Sequence, residues 1–218
     1  GVQINDLIVK SNNFINKLGF NNTFVTFLKN VNTDSKNSSK LKDQSQSEML
    51  AMLAYDADWP LIKENDNEKN LLTPKFSLRF SPNDTKNLKD EKRLLTTDNI
   101  FSLNRVGFSE TIESGGSITL GLDYEKKLKT NDETFIRSKI ATIFRDEKNE
   151  NLPISSTIGK KQSDYVGEIF FKPSQNFEFN YDYALNNDLD EFNFHKFENT
   201  FVINNFVNSF SFYEENNL

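Results

Sequence analysis

Asp56, Asp58, Glu168, Glu178 and Asp182 are the acidic residues that invite a chemical reading, because two carboxylates flanking a glycosidic bond can divide acid and base work between them. A simpler account covers all five: each takes the polar phase of an alternating row, as a solvated group on the wet face of a β-strand does. His195 is the only histidine, so a two-histidine metal site is excluded and any Ser–His nucleophile has to use this residue. It is read as a lumen residue without special chemistry. Cysteine is absent, which removes a disulfide framework, a thiolate nucleophile and a cysteine zinc site from this chain. Gly115-Gly116 precedes a strand pattern rather than a helix, so it lacks the helix N-terminus that a phosphate loop requires. Arg137, Lys139 and Arg145 face either anionic saccharide or water. The stretch from Asn104 and Arg105 to Glu113 reads, from its chemistry, as a polar loop held by its own hydrogen bonds. No catalytic centre and no cofactor are expected.

Whatever these groups do, strands must position them. From Asn176 to Leu185 the row alternates, with Phe177, Phe179, Tyr181, Tyr183 and Leu185 on one face and Asn176, Glu178, Asn180, Asp182 and Ala184 on the other. The same period returns at Ile118, Leu120, Leu122 and Tyr124, at Ile136, Ile140 and Phe144, and more loosely at Met49, Leu53, Tyr55 and Trp59. Segments near 2–15, 20–33, 46–59, 72–81, 99–105, 115–127, 133–145, 164–171, 176–185, 189–198 and 200–213 are expected as strands. Longer polar insertions are expected at Asp34–Ser47, Lys63–Asn70, Asn83–Asp98 and Glu147–Ser163. The chain therefore reads as all-β, an up-and-down antiparallel array of ten or eleven strands with short turns at one end and long loops at the other.

Composition narrows the class. The 218 residues include 21 Phe, 6 Tyr and 1 Trp against 8 Gly and 5 Pro, with 30 Asn supplying much of the polarity. A disordered chain lacks such aromatics, and the longest apolar run, Met49 to Tyr55, falls short of the roughly 20 residues of a membrane helix. The net charge of −6 leaves no basic surplus for phosphates, so no nucleic-acid partner is expected. Gly1-Val2-Gln3-Ile4-Asn5 shows no signal peptide, which points to a cytosolic protein or to a mature or partial chain. Two architectures remain, a soluble sandwich or a transmembrane barrel. Alternation over about 9–11 residues per strand, and aromatics at strand ends such as Trp59, Tyr124, Phe144, Tyr165 and Tyr183, favour the barrel.

Several segments, in order, resemble the C-terminal barrel domain of LptD, the outer-membrane lipopolysaccharide-assembly family. Trp59-Pro60-Leu61-Ile62 is similar to a short aromatic-proline element of that family. The Pro74 to Pro82 stretch resembles its strand ending in Ser-Pro. Asn99-Ile100-Phe101-Ser102-Leu103-Asn104-Arg105 is similar to its NLF-x-x-NR stretch, and Ile112-Glu113-Ser114-Gly115-Gly116 with Leu120-Gly121-Leu122 to its R-I-E-x-G … Y-G-L stretch. Ser163-Asp164-Tyr165-Val166-Gly167, followed by Pro173, looks like its SDYVG hairpin. The resemblance spans about 55–215. Between Arg105 and Ile112 it departs, with Phe108, Ser109, Glu110 and Thr111 where the family favours Gly-Tyr-Asp-Arg.

The resemblance implies a non-enzymatic role in placing lipopolysaccharide in the outer leaflet of a Gram-negative bacterium. It implies lipopolysaccharide and outer-membrane lipid as ligands, an LptE-like plug lipoprotein as partner, and periplasmic lipopolysaccharide-bridge proteins reached through a jellyroll domain that is missing from residues 1–218. Asn104, Arg105 and Glu113 are the candidate plug or lumen-loop contacts. Glu178, Asn180 and Asp182 are then lumen-facing, and Phe177, Phe179, Tyr181 and Tyr183 lipid-facing. The chain is expected to be a partial barrel, one arc of a larger one. A generic outer-membrane channel or receptor barrel, and a soluble β-rich binding module, are the alternatives.

Overall fold

The computed structural model describes residues 1–34, 45–129 and 133–216. Twelve strands form one sheet: β1 (Val2–Lys10), β2 (Phe14–Ile15), β3 (Asn21–Thr33), β4 (Gln46–Asp58), β5 (Leu61–Glu64), β6 (Glu68–Ser81), β7 (Gly115–Leu128), β8 (Glu133–Arg145), β9 (Tyr165–Ser174), β10 (Phe177–Leu185), β11 (Phe192–Ile203) and β12 (Phe206–Glu215). The long strands pair antiparallel in chain order, with β2 added beside β3 and β5 beside β6. Among the described residues there is no α-helix, only a 3-10 turn at Thr157–Gly159. Of the insertion expected at Asp34–Ser47, residues 35–44 lie outside the described residues.

The period-two rows become two opposed faces. Leu53, Phe80 and Leu120 belong to a bare apolar face and are 57%, 53% and 44% exposed. The other face is covered by two long segments from the same end of the sheet, 82–114 between β6 and β7 and 146–164 between β8 and β9. These pack Leu88, Leu95, Ile100, Val106, Leu152 and Ile158 against Ala141, Ile143, Val166, Ala184 and Phe194 of the sheet. A smaller cluster joins Ile112 to Phe27, Val31, Leu50 and Met52. The dry core thus lies between sheet and loops, because the sheet has no second sheet to pack on.

Prolines mark where the ladder is interrupted. Pro60 separates β4 from β5, and Pro74 faces that gap with its carbonyl accepting from Trp59 N at 2.9 Å. Pro74 therefore withholds no donor from a strand partner. Where β6 has ended, the Asn83 side chain takes over beside β4: its Oδ1 accepts from Ala51 N at 2.6 Å and its Nδ2 donates to Met49 O at 3.2 Å.

Three expected boundaries are corrected. Asn99–Arg105 is not a strand but a run of turns, because Asn99 binds its neighbours instead of a ladder partner: its Oδ1 accepts from Thr96 N at 3.0 Å and its Nδ2 donates to Leu94 O at 2.9 Å. Lys63–Asn70 is not an insertion but a tight hairpin, turned by Asn65, whose Oδ1 accepts from the backbone of Asn67 and Glu68. The last hairpin turns at Asn204-Asn205 rather than at Asn199, and Asn204 has φ of 52°, a conformation asparagine tolerates well.

Candidate functional site

The covered face carries the charge chemistry, and its centre is Glu113. Arg105 Nε donates to Glu113 Oε2 at 2.6 Å and Arg105 Nη2 to Oε1 at 2.5 Å, a bidentate pair. Arg145 of β8 also donates to Glu113 Oε1 and to the Ser114 carbonyl. The remaining Arg105 donors reach Thr119 Oγ1 at 2.8 Å and Ser117 Oγ at 2.7 Å on β7. Arg105 is 0% exposed. Burial alone pushes the Glu113 carboxyl up, but Arg105, with Arg145 and Arg79 behind it, outweighs burial and holds the group at about 2. Removing any one partner of this buried cluster strands a charge without its counter-ion.

A second set of contacts docks the tip of segment 82–114. Arg79 of β6 donates from Nη1 to Ser102 O at 2.6 Å and from Nη2 to Phe101 O at 2.5 Å. The Phe101 ring lies on Gly121 of β7, where an added Cβ would come within 2.7 Å of ring Cζ. Glycine at 121 is thus a socket for a ring. Behind Arg79, Ser77 Oγ donates to Asp56 Oδ1 at 2.5 Å.

Beyond this anchorage the covered face opens into a polar trough of about 630 Å³ bordered by Arg137, Lys139, Glu168, Asp182, Lys196 and Glu198. Glu168 is its hub. It accepts from Arg137 Nη2 at 2.6 Å and Lys139 Nζ at 2.9 Å on β8, and from Thr97 Oγ1 of segment 82–114 at 3.3 Å. Arg137 and Lys139 are therefore engaged with this carboxylate.

The structure brings Arg105 and Glu113 together, and both are satisfied within the chain. Asn104 is exposed and closes a turn, accepting from Gly107 N at 3.0 Å and donating to Phe108 O at 3.2 Å. Glu178, Asn180 and Asp182 share the trough, with Asn180 Nδ2 donating to Asp182 Oδ2 at 2.9 Å. Phe177, Phe179, Tyr181 and Tyr183 fall in the opposite phase of β10. There Tyr183 lies across Gly167 of β9, its paired residue, so that an added Cβ would meet the ring at 2.1 Å. Asp58 is bound by Asn21 Nδ2 at 2.8 Å.

His195 requires a correction. It was expected on the wet face, yet it sits on the aromatic one, with Nε2 and Glu214 Oε2 2.8 Å apart and the rings of Tyr181, Phe192 and Phe212 around it. The reason is a bulge where Leu185 pairs with Phe192 and Ala184 with Phe194, which reverses the phase of every later β11 residue. Arg79, Ser117, Thr119, Thr97 and Gly121 are site residues that the sequence does not single out as such. The alternation marked the strands that carry Ser117, Thr119 and Gly121, but not which loop would land on them.

The described residues form an all-β antiparallel sheet with long strands, a bare aromatic face, a charged face and long loops folded over one end, a pattern consistent with a β-barrel wall. No helix among the described residues is long and apolar enough to cross a membrane. The family model described as "LptD: LPS transport system D" matches residues 7–212, and the chain belongs to that family. Its role is in the transport and assembly of lipopolysaccharide at the outer membrane. No curated protein gives a significant match to the chain.

Proposed function

We propose that residues 1–218 form one arc of the barrel domain of a lipopolysaccharide translocon, with the bare face against outer-membrane lipid and the covered face toward a hydrophilic lumen. The observation that carries this reading is the segregation of β10: Phe177, Phe179, Tyr181 and Tyr183 on one side, and Glu178, Asn180 and Asp182 on the trough side. Lipid accepts the rings at little cost and water accepts the carboxylates, so a bilayer-spanning wall satisfies both faces at once. The long segments then lie on the extracellular side and the tight turns on the periplasmic side. Edges at β1 and β12, the two ends of the ten-strand order, support continuation of the wall by further strands.

In this role the chain works as a conduit rather than an enzyme. Its trough offers lipopolysaccharide a polar surface for the saccharide, while outer-membrane lipid surrounds the bare face. An LptE-like plug lipoprotein and periplasmic lipopolysaccharide-bridge proteins, the latter through an N-terminal domain, are the partners that complete the path. Asn104 is the candidate residue for plug contact with a free surface, since Arg105 and Glu113 are committed to each other.

Photo-crosslinking side chains placed one at a time at Glu178, Asn180, Phe177 and Phe179 test the assignment in intact cells. Adducts with lipopolysaccharide are expected at 178 and 180, and adducts with phospholipid or lipid acyl chains at 177 and 179. Saccharide adducts confined to 177 and 179, or none at 178 and 180, overturn it.

A further inference from the structure

Phe170 of β9 breaks the rule that rings take the bare face. It pairs with Arg137 of β8 and Asn180 of β10, and so falls in the wet phase with them. Its neighbours in that phase are polar: Glu168 and Lys172 on its own strand, Glu178 and Asp182 on the next. Phe210 also borders the trough, but its ring lies 5.8 Å from that of Phe197, on the bare face. Among the described residues, Phe170 is therefore the ring that the trough holds. A half-buried ring on a wet face leaves apolar surface in water unless something covers it. One side is taken: the Arg137 guanidinium carbon lies 5.0 Å from the ring centroid. Glu168 fixes it there, with Oε1 accepting from Arg137 Nε at 2.9 Å and Nη2 at 2.6 Å.

On the other side of Phe170 the cross-strand row continues through Asn180 to Glu198 of β11 and Ser211 of β12. Residues directly opposite in such a row stand about 5 Å apart, so one pyranose ring covers the step from Phe170 to Asn180. Asn180 Nδ2 donates to Asp182 Oδ2 at 2.9 Å, which holds an amide and a carboxylate together beside the ring. The electron-rich face of a phenyl ring attracts the weakly positive C–H groups of a sugar, while amide and carboxylate groups bond its hydroxyls. The charges then select among sugars. Arg137 and Lys139 are both paired with Glu168, and Lys196 with Glu198 at 2.6 Å. These cations of the trough are already balanced, and the Asp182 carboxylate beside the ring repels a further anion. We infer that Phe170, Asn180 and Asp182 form a saccharide subsite that stacks one uncharged, hydroxyl-rich pyranose unit on the free face of the ring. Phosphorylated and acidic sugar units are not held there. The inference rests on the translocon reading for the source of the saccharide, whereas the subsite stands on the geometry of β8 to β11.

Saturation-transfer NMR on the intact protein, in a detergent without sugar groups, tests this. The probe is the lipid-free core oligosaccharide of a bacterial lipopolysaccharide, used before and after removal of its phosphates with hydrofluoric acid. The dephosphorylated form is expected to bind at least as tightly as the phosphorylated one, with transfer to sugar C–H protons. Phe170→Leu keeps an apolar side chain but removes the π face, and should weaken binding roughly fivefold. Phe170→Trp, which keeps a π face, should retain it. A ring with a merely structural role predicts parental affinity in Phe170→Leu. Where Phe170→Leu fails to assemble, judged by heat-modifiable mobility, Asn180→Leu replaces it, since it removes the amide and leaves the ring and the Glu168 pairs in place. Unchanged affinity in the assembled variant overturns the subsite, as does binding of the phosphorylated probe alone or of neither probe. The translocon reading is separated by delivery of lipopolysaccharide to the cell surface: a protein that binds the probe as expected but supports no delivery refutes that reading and leaves the subsite standing.

Discussion

Glu113 and Arg145 are 32 residues apart in the chain and joined in the fold, the carboxylate at the end of a long loop and the guanidinium at the end of β8. Because Arg105 grips the same carboxylate from within the loop, Glu113 couples the loop to itself and to the wall at one point. Its removal is expected to be more damaging than removal of an exposed pair.

Glu113→Ala should destabilise the docking of segment 82–114 by about 3–5 kcal/mol, the usual cost of stranding a buried charge. Faster proteolytic cleavage within 82–114, with the sheet still intact, is the outcome to measure. By contrast, breaking the exposed pair Lys148–Glu150 should leave proteolytic resistance essentially unchanged.

The docking of segment 82–114 should also be acid-labile. Glu113 is held at about 2 in the fold against an ordinary 4.5, so the bound form favours the carboxylate. Its stabilising contribution is complete above about pH 4.5 and disappears as pH falls toward 2. Hydrogen exchange of the amides of Asn99, Ile100 and Ser102, which are bonded within that segment, should accelerate over that window. In Glu113→Gln this acid step should be missing.

Gly121→Val should unseat Phe101, because even one added carbon meets the ring at 2.7 Å. A loss of about 1–3 kcal/mol is expected, confined to the tip of segment 82–114. Amide exchange at Ile100 and Ser102 should report it, whereas the paired amides of β7 should stay protected. Phe101→Ala in the same background should relieve the clash without restoring the dock.

On β10, Phe179→Arg should impair membrane assembly by about 2–4 kcal/mol near the midplane, and Asn180→Arg should be mild. Folding yield into lipid vesicles, read by heat-modifiable mobility, separates the two. Equal tolerance at both sites rules out a lipid-facing surface at Phe179.

Much of this was written locally. The alternation of Phe177 to Leu185 and of Ile118 to Tyr124 determined strands and their two faces, because a period of two has only one regular backbone solution. Asn204-Asn205 and Pro60 set turns and breaks by their own φ preferences, although alternation by itself points to Asn199 for the first of these. The motif residues Asn104, Arg105 and Glu113 could be picked out without coordinates. What joins Arg105 and Glu113 to Arg145, Ser117 and Thr119 is long-range, and no spacing in the chain encodes it. Tertiary structure alone decided that Phe101 fills the space above Gly121, that Thr97 completes Glu168, and that a single bulge turns His195 to the aromatic face. The physical reason is the same in each case: strand periodicity acts between neighbours two residues apart, whereas burial of a charge or a ring depends on which distant segment arrives to cover it.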